Sequence, residues 1–104
     1  MTGAQTDRVQ VPDYVVASAV ILRVGMTFWQ SWLDKHDENG LQLFDHWAHL
    51  RFIAQHLLER FEMVLLPGEL RWLDAALSEA GSLGASFEDI EFLREAKFTV
   101  GVIG

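Results

Sequence analysis

Residues 41–66 carry two apolar stripes, and this feature constrains the fold more than any other in the sequence. At about 100° per residue, their spacing predicts one long helix. The main stripe is typical of a surface that faces a core, whereas a second stripe, on nearly the opposite side, occupies the first half only. We therefore expect the first half to be contacted from two directions. The main stripe comprises Trp47, Leu50, Ile53, Ala54, Leu57, Leu58, Phe61, Val64 and Leu65, and the second comprises Phe44, Ala48 and Phe52.

Three further helices are predicted around this segment. Residues 14–35 have an apolar stripe in which Ser18 and Gly25 leave room for a close helix contact. The turn at residues 37–40 is short enough to make the first two helices antiparallel neighbours. Pro67 suits the first position of a helix that runs to about residue 80. A capping-box pattern at Ser86 precedes a short helix over residues 87–97, in which Phe87, Ile90, Leu93 and Ala96 are expected to be buried.

The sequence thus predicts an all-α fold, a small helical bundle of three main helices and one short helix. We expect a single domain over residues 1–104, with residues 1–8 disordered. Residues 98–104 form an apolar tail in which the period changes from about 3.6 to about 2, placing Phe98, Val100 and Val102 on one face. Residues 9–11 are the internal candidate for pairing, which predicts a short two-stranded ribbon from the termini. Alternatively, a partner's sheet completes the tail.

Charge and composition disfavour several functions. The chain has 8 basic and 15 acidic residues, a net charge of −7, so it repels phosphate backbones and anionic membranes. It contains no cysteine, which excludes disulfides and thiolate chemistry. The first residues have neither a basic start nor an apolar stretch, so we expect a cytoplasmic protein. Arg23 interrupts the apolar residues 15–33, which favours an amphipathic helix over a membrane span.

The four histidines are the candidates for metal or haem binding. Asp45 and His49, one helical turn apart, predict a surface pair, and His56 is expected to be solvated. His46, at the edge of the main stripe, is expected to be a core residue that donates to a backbone carbonyl. Two functional alternatives are a metal site at Asp45 and His49 that another chain completes, and a haem ligand at His46. We expect neither a metal nor a cofactor.

No catalytic motif is present: the sequence lacks GxSxG, a P-loop, GxGxxG and HExxH. We therefore predict that the chain is not an enzyme. Aromatic residues instead concentrate on both sides of the turn at residues 37–40, where they predict a small aromatic core, a protein-binding surface, or both.

The function expected from the sequence is a non-enzymatic interaction or assembly protein, acting as a homo-oligomer or as a small subunit of a larger complex. Half of the residues are hydrophobic, which leaves apolar surface outside a small core. The alternatives are an acidic inhibitor that mimics nucleic acid in a basic protein groove, and a metal- or haem-binding bundle. The expected partner-binding residues are Trp29, Trp32, Phe44, Ala48, Phe52, Phe98, Val100 and Val102.

Overall fold

The computed structural model describes residues 10–35 and 40–101 and confirms the all-α helical bundle. The predictions for residues 1–8, His36, the turn residues 37–39 and Val102 fall outside the described residues. No helix in the described ranges is long and apolar enough to cross a membrane. The elements in chain order are α1 (Asp13–Lys35), α2 (Gly40–Arg60), β1 (Val64–Leu65), α3 (Pro67–Ala80), a 3-10 turn (Gly81–Leu83), α4 (Phe87–Glu95) and β2 (Thr99–Val100).

Helices α1 and α2 form an antiparallel hairpin. Near one end the rings of Tyr14 and Phe61 lie 5.9 Å apart, and near the other Trp29 and Phe44 lie 6.3 Å apart. Gly25 permits the close approach between them, because a Cβ built there would lie 3.1 Å from Cε3 of Trp47. The tight helix contact predicted at this glycine is therefore present.

The core lies between the α1–α2 hairpin and the two shorter helices. Phe28, Ile21, Leu50, Ile53 and Leu57 are its largest fully buried side chains in the two long helices. Burial of each such side chain stabilises the fold by about 1.5–3 kcal/mol. The shorter helices cover this surface with Leu73, Ala76, Leu77, Ile90 and Leu93.

The expected burial of Phe87 was wrong, because its side chain is 75% exposed. Phe87 is the first residue of α4. Since helical side chains point towards the N-terminus, that of Phe87 projects past the surface covered by Ile90.

Helix α2 is shorter than predicted: it ends at Arg60 instead of continuing to residue 66. Phe61 adopts a left-handed conformation with φ 58°, which ends the helix. Arg60 Nη1 donates to the carbonyl of Val64 at 2.9 Å and so spans the turn. Phe61 is consequently exposed, and Leu58, at the edge of the main stripe, is 41% exposed.

The two-stranded ribbon forms with a different partner from the one predicted. Strands β1 and β2 pair in parallel, with Val64 opposite Thr99 and Leu65 opposite Val100. The predicted pairing of the tail with residues 10 and 11 was wrong, because these residues are not in a strand, and Val9 lies outside the described residues. The early end of α2 leaves Val64 and Leu65 extended, and burial of Leu65 fixes them beside the tail.

Candidate functional site

The side of α1 that points away from the core is apolar over its whole length. Its residues follow one another in alternating steps of four and three residues, the spacing of a helix that pairs along a heptad seam. The core-facing stripe of α1, which includes Ile21 and Phe28, lies on nearly the opposite side. Leu22, Met26 and Leu33 are between 36% and 45% exposed. The complete stripe is Val15, Ala19, Leu22, Met26, Trp29 and Leu33.

Helix α2 extends this surface with a stripe of the same spacing. Its contacts with α3 are made from another side, through His46, His49 and His56. The outward stripe of α2 consists of Phe44, Ala48, Arg51, Gln55 and Leu58. We call these two stripes together the hairpin face.

Aromatic rings form the end of the hairpin face nearest the turn between α1 and α2. Ring centroids of Trp29 lie 5.2 Å from Trp32 and 5.7 Å from Trp47, and Trp32 lies 5.5 Å from Phe44. A shallow cavity of about 120 Å³ lies beside them. Phe52 borders this cavity and is 52% exposed. The cavity is lined by Phe44, Trp47, Ala48, Arg51, Phe52 and Gln55.

The structure therefore brings together five of the predicted partner-binding residues: Trp29, Trp32, Phe44, Ala48 and Phe52. Phe98 and Val100 lie elsewhere, at the ribbon that follows the other end of α2. The axial distance from Phe44 to that end is about 24 Å at 1.5 Å per residue. Phe98 is half-buried against the core and Val100 is exposed.

A second, larger groove of about 440 Å³ lies near the ribbon. It brings together the start of α1 and the end of α4, with Met63 between them. Because Met63 also accepts a hydrogen bond from the amide of Thr99, this groove belongs to the ribbon end of the molecule. Its lining comprises Val11, Asp13, Val16, Met63, Phe92, Ala96 and Lys97.

No protein-family model, curated protein or solved structure matches this chain.

Several residues of the hairpin face were missed or misplaced by the sequence reasoning. Leu58 was assigned to the main stripe of α2, and Leu22, Met26 and Leu33 were not among the predicted partner-binding residues. The alternating steps of four and three residues along α1 were the available signal. That signal was obscured because the core stripe of α1 is equally apolar.

A buried carboxylate that was not predicted from the sequence joins the end of α2 to the first turn of α3. Glu69 is 3% exposed and accepts hydrogen bonds from Arg60 Nη1 at 2.7 Å and from the amide of Leu66 at 2.8 Å. His56 Nδ1 lies within hydrogen-bonding distance of the same carboxylate. The expectation of a solvated His56 was therefore wrong. The available signal was a glutamate in the third position of a helix, where it caps the preceding backbone amide.

Competing effects act on the pKa of Glu69. Burial raises it, but the hydrogen bonds from Arg60, the Leu66 amide and His56, together with the positive charge of Arg60, lower it by more. The net pKa lies below the ordinary value, so the carboxylate is ionised at neutral pH. Its oxygens are already occupied by these donors, an arrangement that ties two helices together.

His46 is buried as predicted, but its partner is a carboxylate and not a backbone carbonyl. Its Nε2 lies 2.7 Å from Oε2 of Glu79, and Gln42 donates to the same oxygen at 3.1 Å. The Nδ1 atom is buried without a partner among the described residues. The sequence reasoning missed Glu79 because it lies in a different helix, α3.

His49 stacks on Trp72 of α3, with ring centroids 4.1 Å apart and planes 1° from parallel. Burial lowers the pKa of His49, the charge of Asp45 raises it, and that of His46 lowers it further. The structure thus adds a ring stack with Trp72 that the predicted surface pair of Asp45 and His49 did not include. Across residues 10–35 and 40–101, no three histidine or acidic side chains are grouped to hold a metal ion.

Proposed function

We propose that this protein is a non-enzymatic interaction or assembly protein that binds another protein surface through the hairpin face. It acts as a homo-oligomer or as a small component of a larger complex. The observation that carries the proposal is the second apolar stripe of α1, which is exposed and lies opposite the core stripe of the same helix.

The energetics of exposed apolar surface support this proposal. Covering such surface contributes roughly 25 cal/mol per Å², and large contiguous patches on soluble proteins usually mark binding sites. The hairpin face also carries the residue types that dominate binding energy at interfaces, Trp and Arg. These residues are Trp29, whose ring centroid lies 6.3 Å from that of Phe44, and Arg51, which lines the same cavity as Phe44.

The two alternative functions have less support. An acidic mimic would need unpaired surface carboxylates, but one of those on α4, Asp89, is bound by Arg23 through contacts of 3.1 and 2.9 Å. The haem hypothesis required an accessible imidazole nitrogen at His46, but its Nε2 contacts Glu79 and its Nδ1 is buried. Asp89 is therefore less available to bind a basic protein groove, and His46 is less available to bind a haem iron.

Site-specific photo-crosslinking in the native host tests the proposal. A photoreactive phenylalanine analogue is introduced at Phe52, beside the hairpin face, or at Phe87, which is exposed but lies in α4. We expect a discrete protein adduct from Phe52 and none of comparable yield from Phe87. The two positions form a matched pair because both are exposed phenylalanines. Equal, weak labelling from both positions would contradict the proposal.

A further inference from the structure

We infer that the occupant of the hairpin face is a second copy of this chain, and that the two copies form a four-helix bundle in which α1 of each lies against α2 of the other. This inference rests on the proposed function and names the partner. Its basis is the spacing, charge and size of the hairpin face.

The spacing suits helix-to-helix packing. Both exposed stripes advance by alternating steps of four and three residues, the pattern that lets side chains of neighbouring helices interdigitate at about 20° in four-helix bundles. The side chains of a flat, irregular or β-rich partner surface would not interdigitate with two helical stripes of this spacing. A pair of helices with the same spacing would interdigitate with them, and the hairpin face itself is such a pair.

The distribution of charge removes the main obstacle to self-association. Two copies that each carry a net charge of −7 repel one another. None of the carboxylates within residues 10–35 and 40–101 belongs to the two stripes of the hairpin face, whose one charged residue is Arg51. Contact between these stripes therefore sets none of those carboxylates against its counterpart in the other copy.

Arg51 also selects the geometry of the dimer. A two-fold axis perpendicular to the helices would pair α2 with the partner's α2 and set Arg51, at the middle of its stripe, against the partner's Arg51. A two-fold axis parallel to the helices instead pairs α1 with α2 of the other copy. Because this rotation leaves the position along the helix axis unchanged, residues at the same height within one copy also face one another across the interface. Within one copy Trp47 packs at Gly25, so Ala48 would lie opposite the partner's Met26. This arrangement avoids the like-charge contact and places a small side chain against a large one.

The surface is large enough for a specific dimer. Residues 15–33 span about 27 Å of helix, and two helices packed about 8–10 Å apart give a width of about 20 Å. The two copies together would bury on the order of 1,000 Å² or more, the size at which specific interfaces begin.

Sedimentation equilibrium of the full chain, from low micromolar to near-millimolar concentration, tests self-association. We expect a reversible monomer–dimer equilibrium. Met26→Lys should raise the dimer dissociation constant by about 100-fold or more, since it brings a second positive charge into the interface near the partner's Arg51. Phe87→Lys, at an exposed position outside the hairpin face, should leave the constant unchanged. Circular dichroism of both variants verifies that they fold.

Disulfide trapping tests the arrangement of the copies, and the absence of cysteine from the chain makes each introduced thiol unique. An oxidised mixture of the Ala48→Cys and Met26→Cys variants should give a mixed dimer in excess of either homodimer. Efficient homodimer formation by Arg51→Cys alone would overturn the proposed arrangement.

The outcomes separate this inference from the proposed function. A chain that stays monomeric at every concentration, while the Phe52 probe crosslinks to a different protein, overturns the inference and supports the proposed function. Dimer formation that is unaffected by Met26→Lys also overturns the inference, because the dimer would then use another surface.

Discussion

Arg60, the last residue of α2, donates from Nη1 to Oε1 of Glu69 in α3 at 2.7 Å. The same guanidinium nitrogen donates to the carbonyl of Val64. One side chain thus holds the turn after α2, the start of β1 and the first turn of α3 in a fixed arrangement. Because Glu69 is buried and Arg60 is largely so, the stability of this junction depends on their charges being paired.

Replacement of Glu69 by glutamine should destabilise the fold by about 2 kcal/mol. Glutamine preserves the size of the side chain and can still accept the Leu66 amide, so the variant isolates the loss of negative charge beside Arg60 and His56. Urea denaturation measures the effect. Glu62→Gln, at an exposed position in the same turn, should change the free energy of unfolding by less than about 0.5 kcal/mol. Equal effects of the two substitutions would contradict the importance of the junction.

Acid should remove the contribution of Glu69 to stability. Its folded-state pKa lies below the ordinary value of 4.5, so the unfolded chain binds a proton more readily than the folded one. The contribution is therefore complete above the unfolded pKa and is lost as the pH falls through the lower, folded pKa. Urea titrations between about pH 6 and about pH 3 should show the wild-type and Glu69→Gln stabilities converging. A constant difference over this range would show that ionisation of Glu69 is not involved.

Alanine at Gly25 should be less favourable than alanine at Gly68. Both glycines lie in helices, where alanine is intrinsically preferred by up to about 1 kcal/mol. A Cβ at Gly68 would meet nothing nearer than Arg71 at 3.9 Å, whereas at Gly25 it would lie 3.1 Å from Trp47. We expect Gly68→Ala to stabilise the fold by about 0.5 kcal/mol and Gly25→Ala to be about 1 kcal/mol less favourable than that. Thermal and urea unfolding measure the difference, and equal gains would mean that Trp47 moves freely.

The two apolar residues at the start of α4 should differ sharply in their contribution to stability. Ile90 is 7% exposed and Phe87 is 75% exposed. Ile90→Ala should cost about 2–4 kcal/mol, as expected when a buried side chain is truncated. Phe87→Ala should cost less than about 0.5 kcal/mol. A large loss for Phe87→Ala would indicate that its ring is buried in solution, by the chain itself or by a second copy.

The helices themselves could be predicted because their signals are local. The apolar periodicity of residues 14–35, and Pro67 followed by a stripe that includes Leu73 and Leu77, correspond closely to α1 and α3. The end of α2 could not be predicted, because the periodicity continues through Val64 while the backbone turns at Phe61. The ion pairs between helices also could not be predicted from the sequence. Arg23 and Asp89 lie 66 residues apart in the chain, and only the packing of α4 on α1 brings them together.

The sequence by itself determined that this chain forms amphipathic helices, that no acidic residue falls in the outward stripes of α1 and α2, and that α1 and the first half of α2 are apolar on two sides. Those properties depend on residue type and on spacing within one helix. Only the tertiary structure decided which stripe of α1 became the core and which remained exposed, and that the tail pairs with Val64 and Leu65. The physical reason is that two equally apolar faces of one helix are alike in sequence, and the packing of α3 and α4 against one of them removes the equivalence.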